Sequence, residues 1–168
     1  MIVIVMGVSG AGKTTVGAAL AKAMACEFLD ADDFHPHENV LKMAAGTPLG
    51  DLDRWPWLDR LNQELKQRVA RYENVVLACS ALKAVYRSCL ACGIDDVRVV
   101  YLNGTFEFIR SRLASRNHHY MPASLLESQF ATLEPPQDAL EVDAALAIDG
   151  AIRLIVQGLA RKDPARRP

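Results

Sequence analysis

Two groups of residues in this chain of 168 carry chemistry in their types and spacing. The first is Gly7-Val8-Ser9-Gly10-Ala11-Gly12-Lys13-Thr14, which matches GxxxxGK[ST] in full. Glycines let a backbone curl around phosphate oxygens with its N–H groups turned inward. A helix opening behind such a loop adds a favourable field for anions. Lys13 is placed to reach β- and γ-phosphates, and the Thr14 hydroxyl to ligate Mg²⁺. The stretch Gly7 to Thr15 therefore predicts a site for ATP with Mg²⁺. The second group is Asp30-Ala31-Asp32, with Asp33, His35 and His37 close behind. Two carboxylates beside a bound triphosphate can divide the work. We assign Asp30 to the metal's water shell and Asp32 to the hydroxyl that attacks, although either is chemically able to take its proton.

Other readings of these acids bear on the assignment. Asp32 or Asp33 could cap a helix beginning near Pro36, and Asp33 is read as a cap or surface residue. A histidine metal site is disfavoured, because a proline separates His35 from His37 and no further His or Cys ligand lies nearby. His35 is read as a hydrogen-bonding substrate residue and His37 as exposed. The guanine-recognition pattern NKxD and the switch pattern DxxG are both absent from the sequence, which argues against a GTPase switch. The stretch Ala78-Cys79-Ser80 has no aspartate of the Walker-B kind, so the acids after the second strand are the candidates for that duty.

The elements that must position these groups alternate along the chain. Strand-like apolar runs occur at Ile2–Met6, Glu27–Leu29, Val75–Cys79, Val97–Leu102 and Ala145–Ile148. Helix-like segments lie at Lys13–Met24, Trp57–Tyr72, Lys83–Ala91, Phe106–Ser115, Ala123–Leu133 and Ala151–Ala160. Such alternation predicts an α/β fold with a parallel sheet covered on both faces. One domain over residues 1–160 is expected, with a substrate-binding insertion at about 35–72 and a lid at about 112–123. Residues 161–168 read as a solvated basic tail. Within the lid, Arg112 and Arg116 are four apart on one helix face, ahead of Asn117-His118-His119-Tyr120. Arginines on a mobile segment can offset charge on a transferring phosphoryl group, and closure excludes water.

Composition sets the outer bounds. Hydrophobic residues make up 51% and the net charge is −1, which disfavours a broad nucleic-acid or anionic-membrane surface. No apolar run reaches the ~18 residues of a membrane span. The leading MIVIVM is too short for a secretory signal, so a cytoplasmic location is expected. Cys89 and Cys92 form a CxxC without a second ligand pair, and the four cysteines read as reduced.

Past the second strand the chain resembles the gluconokinase family, small P-loop sugar-acid kinases related to shikimate and adenylate kinases. The family pattern is similar to D-G-D-x-x-H-P-x-x-N-x-x-K-M-x-x-G-x-P-L-x-D-x-D-R-x-P-W-L. Asp30, Asp32, His35, Pro36, Asn39, Lys42, Met43, Gly46, Pro48, Leu49, Asp51, Asp53, Arg54, Pro56, Trp57 and Leu58 fall in register with it. Ala31 departs, standing where glycine is common. Cys79-Ser80-Ala81-Leu82-Lys83 with Tyr86-Arg87 resembles a further family stretch, as do His119, Leu125-Leu126-Glu127-Ser128-Gln129-Phe130 and Leu133-Glu134-Pro135.

The resemblance implies a three-layer P-loop kinase with strand order 2-3-1-4-5, and ATP and D-gluconate as substrates. A homodimer would fit the family. Gluconate carries one carboxylate and many hydroxyls, so its site needs cations and mixed donors. Arg54, Lys83 and Arg87 can supply charge, with arginine suited to bidentate carboxylate contact. Lys42, His35 and Ser80 can address hydroxyls or the carboxylate. An ion pair with Asp51 or Asp53 is the competing role for Arg54, and a solvated helix face for Lys83 and Arg87. Met43, Trp55 and Trp57 read as packing, with Trp57 anchoring the helix that covers the pocket. By analogy with similar kinases, the loop at Asp149-Gly150-Ala151 would line the adenine pocket.

Overall fold

The computed structural model describes residues 1–115 and 123–161. Five strands form one parallel sheet: β1 (Ile2–Met6), β2 (Glu27–Asp30), β3 (Val75–Ala78), β4 (Val97–Asn103) and β5 (Leu140–Asp143), in the order β2-β3-β1-β4-β5. The helices are α1 (Lys13–Ala23), α2 (His37–Ala44), α3 (Asp51–Ala70), α4 (Ala84–Ala91), α5 (Phe106–Ala114), α6 (Ala123–Thr132) and α7 (Ile148–Arg161). Among the described residues, no helix is long and apolar enough to cross a membrane.

β1 lies at the centre, paired with β3 on one side and β4 on the other, and all its residues are buried. Its side chains alternate between two cores, as the two-residue period of a strand requires. Val3 and Val5 join Val76, Val100, Leu20 and Ile155 beneath α1 and α7. Ile2, Ile4 and Met6 join Leu77, Leu58, Leu61, Leu65 and Leu90 beneath α3 and α4. Because the strands run parallel, the carboxyl ends of β1, β2 and β3 fall side by side. That edge receives the phosphate loop, Asp30 and Ser80 together.

The structure corrects three element expectations. The fifth strand is Leu140–Asp143, not Ala145–Ile148. As an edge strand it pairs with β4 alone and buries only Val142 outright, so it reads as LEVD alternation and not as an apolar run. The apolar stretch after it is a turn, in which Ala145 N–H donates to Asp143 Oδ1 at 2.8 Å, leading into α7. Next, α3 starts at Asp51, ahead of Pro56 and not behind it. Proline so near the start forfeits only the bond to the Leu52 carbonyl. Finally, the helix beginning near Pro36 is present as α2, but neither Asp32 nor Asp33 caps it, and it is entered at Pro36 without a side-chain cap. The capping is done earlier, by Asp30 on the 3₁₀ turn Ala31–Phe34.

Candidate active site

The phosphate loop joins β1 to α1. Gly10 and Gly12 hold φ of 87° and 101°, left-handed values that a side chain would strain. At Gly12 a Cβ would also stand 3.3 Å from Nη2 of Arg112. Arg112 reaches back from α5 and donates to the carbonyls of Ala11 (3.4 Å) and Ala144 (3.2 Å), which stations its charge on the flank of the loop. Lys13 Nζ donates to the Val8 carbonyl at 3.2 Å. Thr14 Oγ1 donates to Asp30 Oδ2 at 2.7 Å, while Asp30 Oδ1 accepts from the Asp32 N–H at 3.1 Å. One carboxylate thus bridges the loop's hydroxyl and the turn that carries the second carboxylate.

That turn is where local chain and tertiary packing meet. β2 ends at Asp30, so Asp32 rides on the 3₁₀ turn and not on extended chain, with its side chain 86% exposed. His35 Nε2 lies 3.9 Å from Asp32 Oδ1, and its imidazole is stacked on Trp57 with centroids 4.2 Å apart. Burial holds the His35 pKa below its ordinary value, against the opposing pull of the Asp32 carboxylate. Trp57 in turn donates its indole N–H to the Ala31 carbonyl at 2.8 Å. Ala31 is fully buried, so the methyl found where the family has glycine packs in the α3–α4 core.

A cavity of about 180 Å³ opens between the phosphate loop, this turn and α6. Among the residues expected to bind acceptor, Asp32, His35, Arg54 and Ser80 line it, together with Lys13 and Ser9. Arg54 Nη1 donates to the Tyr86 hydroxyl at 3.3 Å, and the guanidinium lies 5.5 Å from that ring's centre. Tyr86 passes the connection on, donating to Asp51, which Lys83 also holds at 2.9 and 3.0 Å. Lys42 bonds Asp53 at 2.5 Å, and Asp53 accepts the Gly50 N–H at 2.9 Å. The Tyr86 hydroxyl and then Lys83 hold the Asp51 pKa below the usual carboxylate range, and Lys42 and the Gly50 N–H do the same for Asp53. Buried Asn39 bonds the Asp53 carbonyl at 2.8 Å and so fastens α2 to the start of α3.

Several expected residues stand elsewhere. Lys42 and Lys83 lie outside the cavity lining, each held by an aspartate in the first turn of α3. Arg87 is the clearest correction, since it faces a separate cavity of about 520 Å³ between α4, β4 and residues 136–140. Its Nη1 donates to the Ala81 and Leu82 carbonyls, both at 3.0 Å, behind Ser80. Ala81 holds a φ of 44°, so this arginine braces a strained turn. Gly150 sits in the first turn of α7, not in a loop, and nothing lies within 4 Å of the position of a Cβ there. Arg116 and Asn117-His118-His119-Tyr120 lie outside the described residues, as do 162–168 of the expected tail.

The shikimate kinase family model matches residues 9–134. A probable gluconokinase of Xenopus tropicalis is 46% identical over 93% of this chain and 90% of its own length. The chain belongs to the gluconokinase family. The thermosensitive gluconokinase of Escherichia coli K12 is 45% identical over 80% of this chain and 72% of its own. In solved structures, a gluconokinase from Sinorhizobium meliloti 1021 superimposes with a TM-score of 0.87 at 42% identity, covering 95% of this chain and 91% of that one. Kinase chemistry, with ATP as phosphoryl donor, comes with the family.

For this gluconokinase-family chain, residue-by-residue reading overlooked one wall of the cavity. Leu125, Ser128, Gln129 and Thr132 of α6 all line it. They sit at i, i+3, i+4 and i+7, a single helix face, and three of them are polar. That polar stripe, on a helix whose other positions include Leu126 and Phe130, was the available signal. Gln129 also grips the loop: the Ser9 N–H donates to its Oε1 at 2.7 Å, and its Nε2 donates to Ser9 Oγ at 3.0 Å.

Proposed function

We propose that this protein phosphorylates D-gluconate at the 6-hydroxyl, using ATP, to give 6-phospho-D-gluconate and ADP. The observation that carries the reading is one cavity that joins the phosphate loop to a carboxylate and a guanidinium. Asp32 suits proton removal from an alcohol, and Arg54 suits the sugar acid's carboxylate. The gluconokinases to which this chain is similar point to the same acceptor.

In this mechanism the loop amides and Lys13 hold the β- and γ-phosphates. The acceptor's terminal oxygen bonds the γ-phosphorus as the bond to the ADP oxygen breaks, and the hydroxyl proton passes to Asp32. Asp32 is exposed toward solvent, as a base that must receive and release a proton should be. Ser80 and His35 meet acceptor hydroxyls, while Lys42 and Lys83 fix the start of α3 through Asp53 and Asp51. Arg87 supports the Ser80 turn without touching the acceptor. Arg112 steadies the loop flank and adds positive charge there, and Arg116 is the further candidate for the phosphoryl group. Thr14 and Asp30 offer only hard oxygen donors, which suits Mg²⁺, and they would hold it, the second through water, so that it neutralises phosphate charge.

The test is ADP release over a panel of D-gluconate, other sugar acids, shikimate and nucleoside monophosphates. D-gluconate should give the highest kcat/KM. Shikimate belongs in the panel because of the family model that matches. Turnover with another acceptor while D-gluconate stays at background would overturn the substrate assignment.

A further inference from the structure

The grip of Gln129 on Ser9 joins residues 120 positions apart, and the Ser9 N–H and hydroxyl oxygen are both bonded by one side chain. A backbone N–H can only donate, so Oε1 must face it and Nε2 must face the hydroxyl. The length of glutamine is matched to this task, since asparagine is one methylene shorter. Its neutrality is matched too, since a carboxylate there would sit against a loop built for phosphates. The same helix face presents Leu125, Ser128 and Thr132 to the acceptor cavity. Any acceptor that fills the cavity therefore presses on the element that holds the loop.

We propose that Gln129 is a positioning residue that couples acceptor binding to nucleotide binding. An acceptor packed against α6 fixes Gln129, Gln129 fixes Ser9, and the ordered loop then binds the triphosphate more tightly. By linkage, the nucleotide tightens the acceptor by the same factor. The connection is a direct two-bond contact and needs no longer pathway. The inference rests on the acceptor reading given above.

Titration calorimetry with a non-hydrolysable ATP analogue plus Mg²⁺, with and without saturating D-gluconate, tests it. In the unaltered protein, D-gluconate should lower the analogue's Kd about five-fold or more. In Gln129→Ala each ligand should bind alone, though more weakly than in the unaltered protein, and the ratio of the two Kd values should fall to about one. Ser9→Ala removes only the hydroxyl contact and should give an intermediate ratio, which serves should Gln129→Ala fold poorly. Gln129→Glu should weaken the analogue even without D-gluconate. An unaltered ratio in Gln129→Ala or Ser9→Ala, or a ratio of one in the unaltered protein with both ligands bound, overturns the coupling alone. No heat from D-gluconate while the analogue binds normally removes the acceptor reading, and this inference with it.

Discussion

The phosphate loop and the acceptor wall meet across one cavity but are built on different terms. The loop is contiguous, eight residues whose glycines and lysine act within one turn of chain. The wall is gathered from the 3₁₀ turn and His35 behind it, α2 and the loop that follows it, α3, the β3–α4 turn and α6. Its orientation is held by exposed ion pairs (Lys42–Asp53 and Lys83–Asp51), by the Arg54–Tyr86–Asp51 chain, and by the stacked His35 and Trp57. A contiguous loop can serve any kinase that uses a triphosphate. A gathered wall can be retuned one contact at a time, and acceptor choice belongs there.

The sharpest way to separate the two is Asp32→Asn. Its kcat should fall about 10³-fold while the affinity for an ATP analogue is unchanged, by steady-state kinetics and calorimetry. Near-normal turnover would remove Asp32 from its role. Arg54→Ala should come next, with acceptor kcat/KM down about 30-fold and the KM for ATP hardly moved, the loss of a charge-assisted contact. An equal rise in both KM values would show that the wall and loop are not separable there. Asp53→Asn, which removes the charge that pairs with Lys42, should raise acceptor KM only a few-fold, because exposed pairs contribute little.

His35 gives the comparison a pH axis. Burial makes its folded pKa lower than the unfolded value near 6.5, so the unfolded chain takes up a proton first as the pH falls. Stability from neutral His35 is complete above that value and is lost as pH drops from it toward the lower folded pKa. Melting temperatures from about pH 7 to 5 should therefore fall more in the unaltered protein than in His35→Gln. Parallel curves would show that the imidazole does not titrate against folding. The smallest effect lies far from both regions. Tyr72 is 97% exposed and holds a φ of 60° just past the end of α3, a position that favours glycine. Tyr72→Gly should stabilise by about 0.5 kcal/mol in chemical denaturation, with kinetics unaltered.

The same contrast explains what could be read from the sequence. The loop, the acids after β2 and four of the five strands were legible, because each is a local pattern in contiguous residues. Strand β5 was misplaced because an edge strand needs only one buried side chain, while the apolar stretch after it belongs to a turn and the start of α7. The start of α3 was hidden by Pro56, whose usual meaning as a boundary is overridden once Asp53 accepts the Gly50 N–H. Arg87 and Lys83 share a helix face by spacing, yet one braces carbonyls and the other pairs with Asp51. That choice depends on where Ala81 and α3 lie in space, which no spacing along α4 encodes. Gln129 stood in the sequence only within a stretch that resembles the family, with no role of its own. Its contact with Ser9 is a property of the folded molecule.

The chain has two tryptophans, and both stand in α3 at the acceptor side. Trp57 lies flat against His35 and Trp55 meets Tyr86 edge-on. All of the molecule's indole fluorescence therefore originates beside the cavity. Imidazolium quenches indole emission more strongly than neutral imidazole, so the protonation of His35 has an optical signature of its own. The protein carries a built-in, label-free reporter for this wall, and Trp55→Phe would narrow it to the one ring that touches His35.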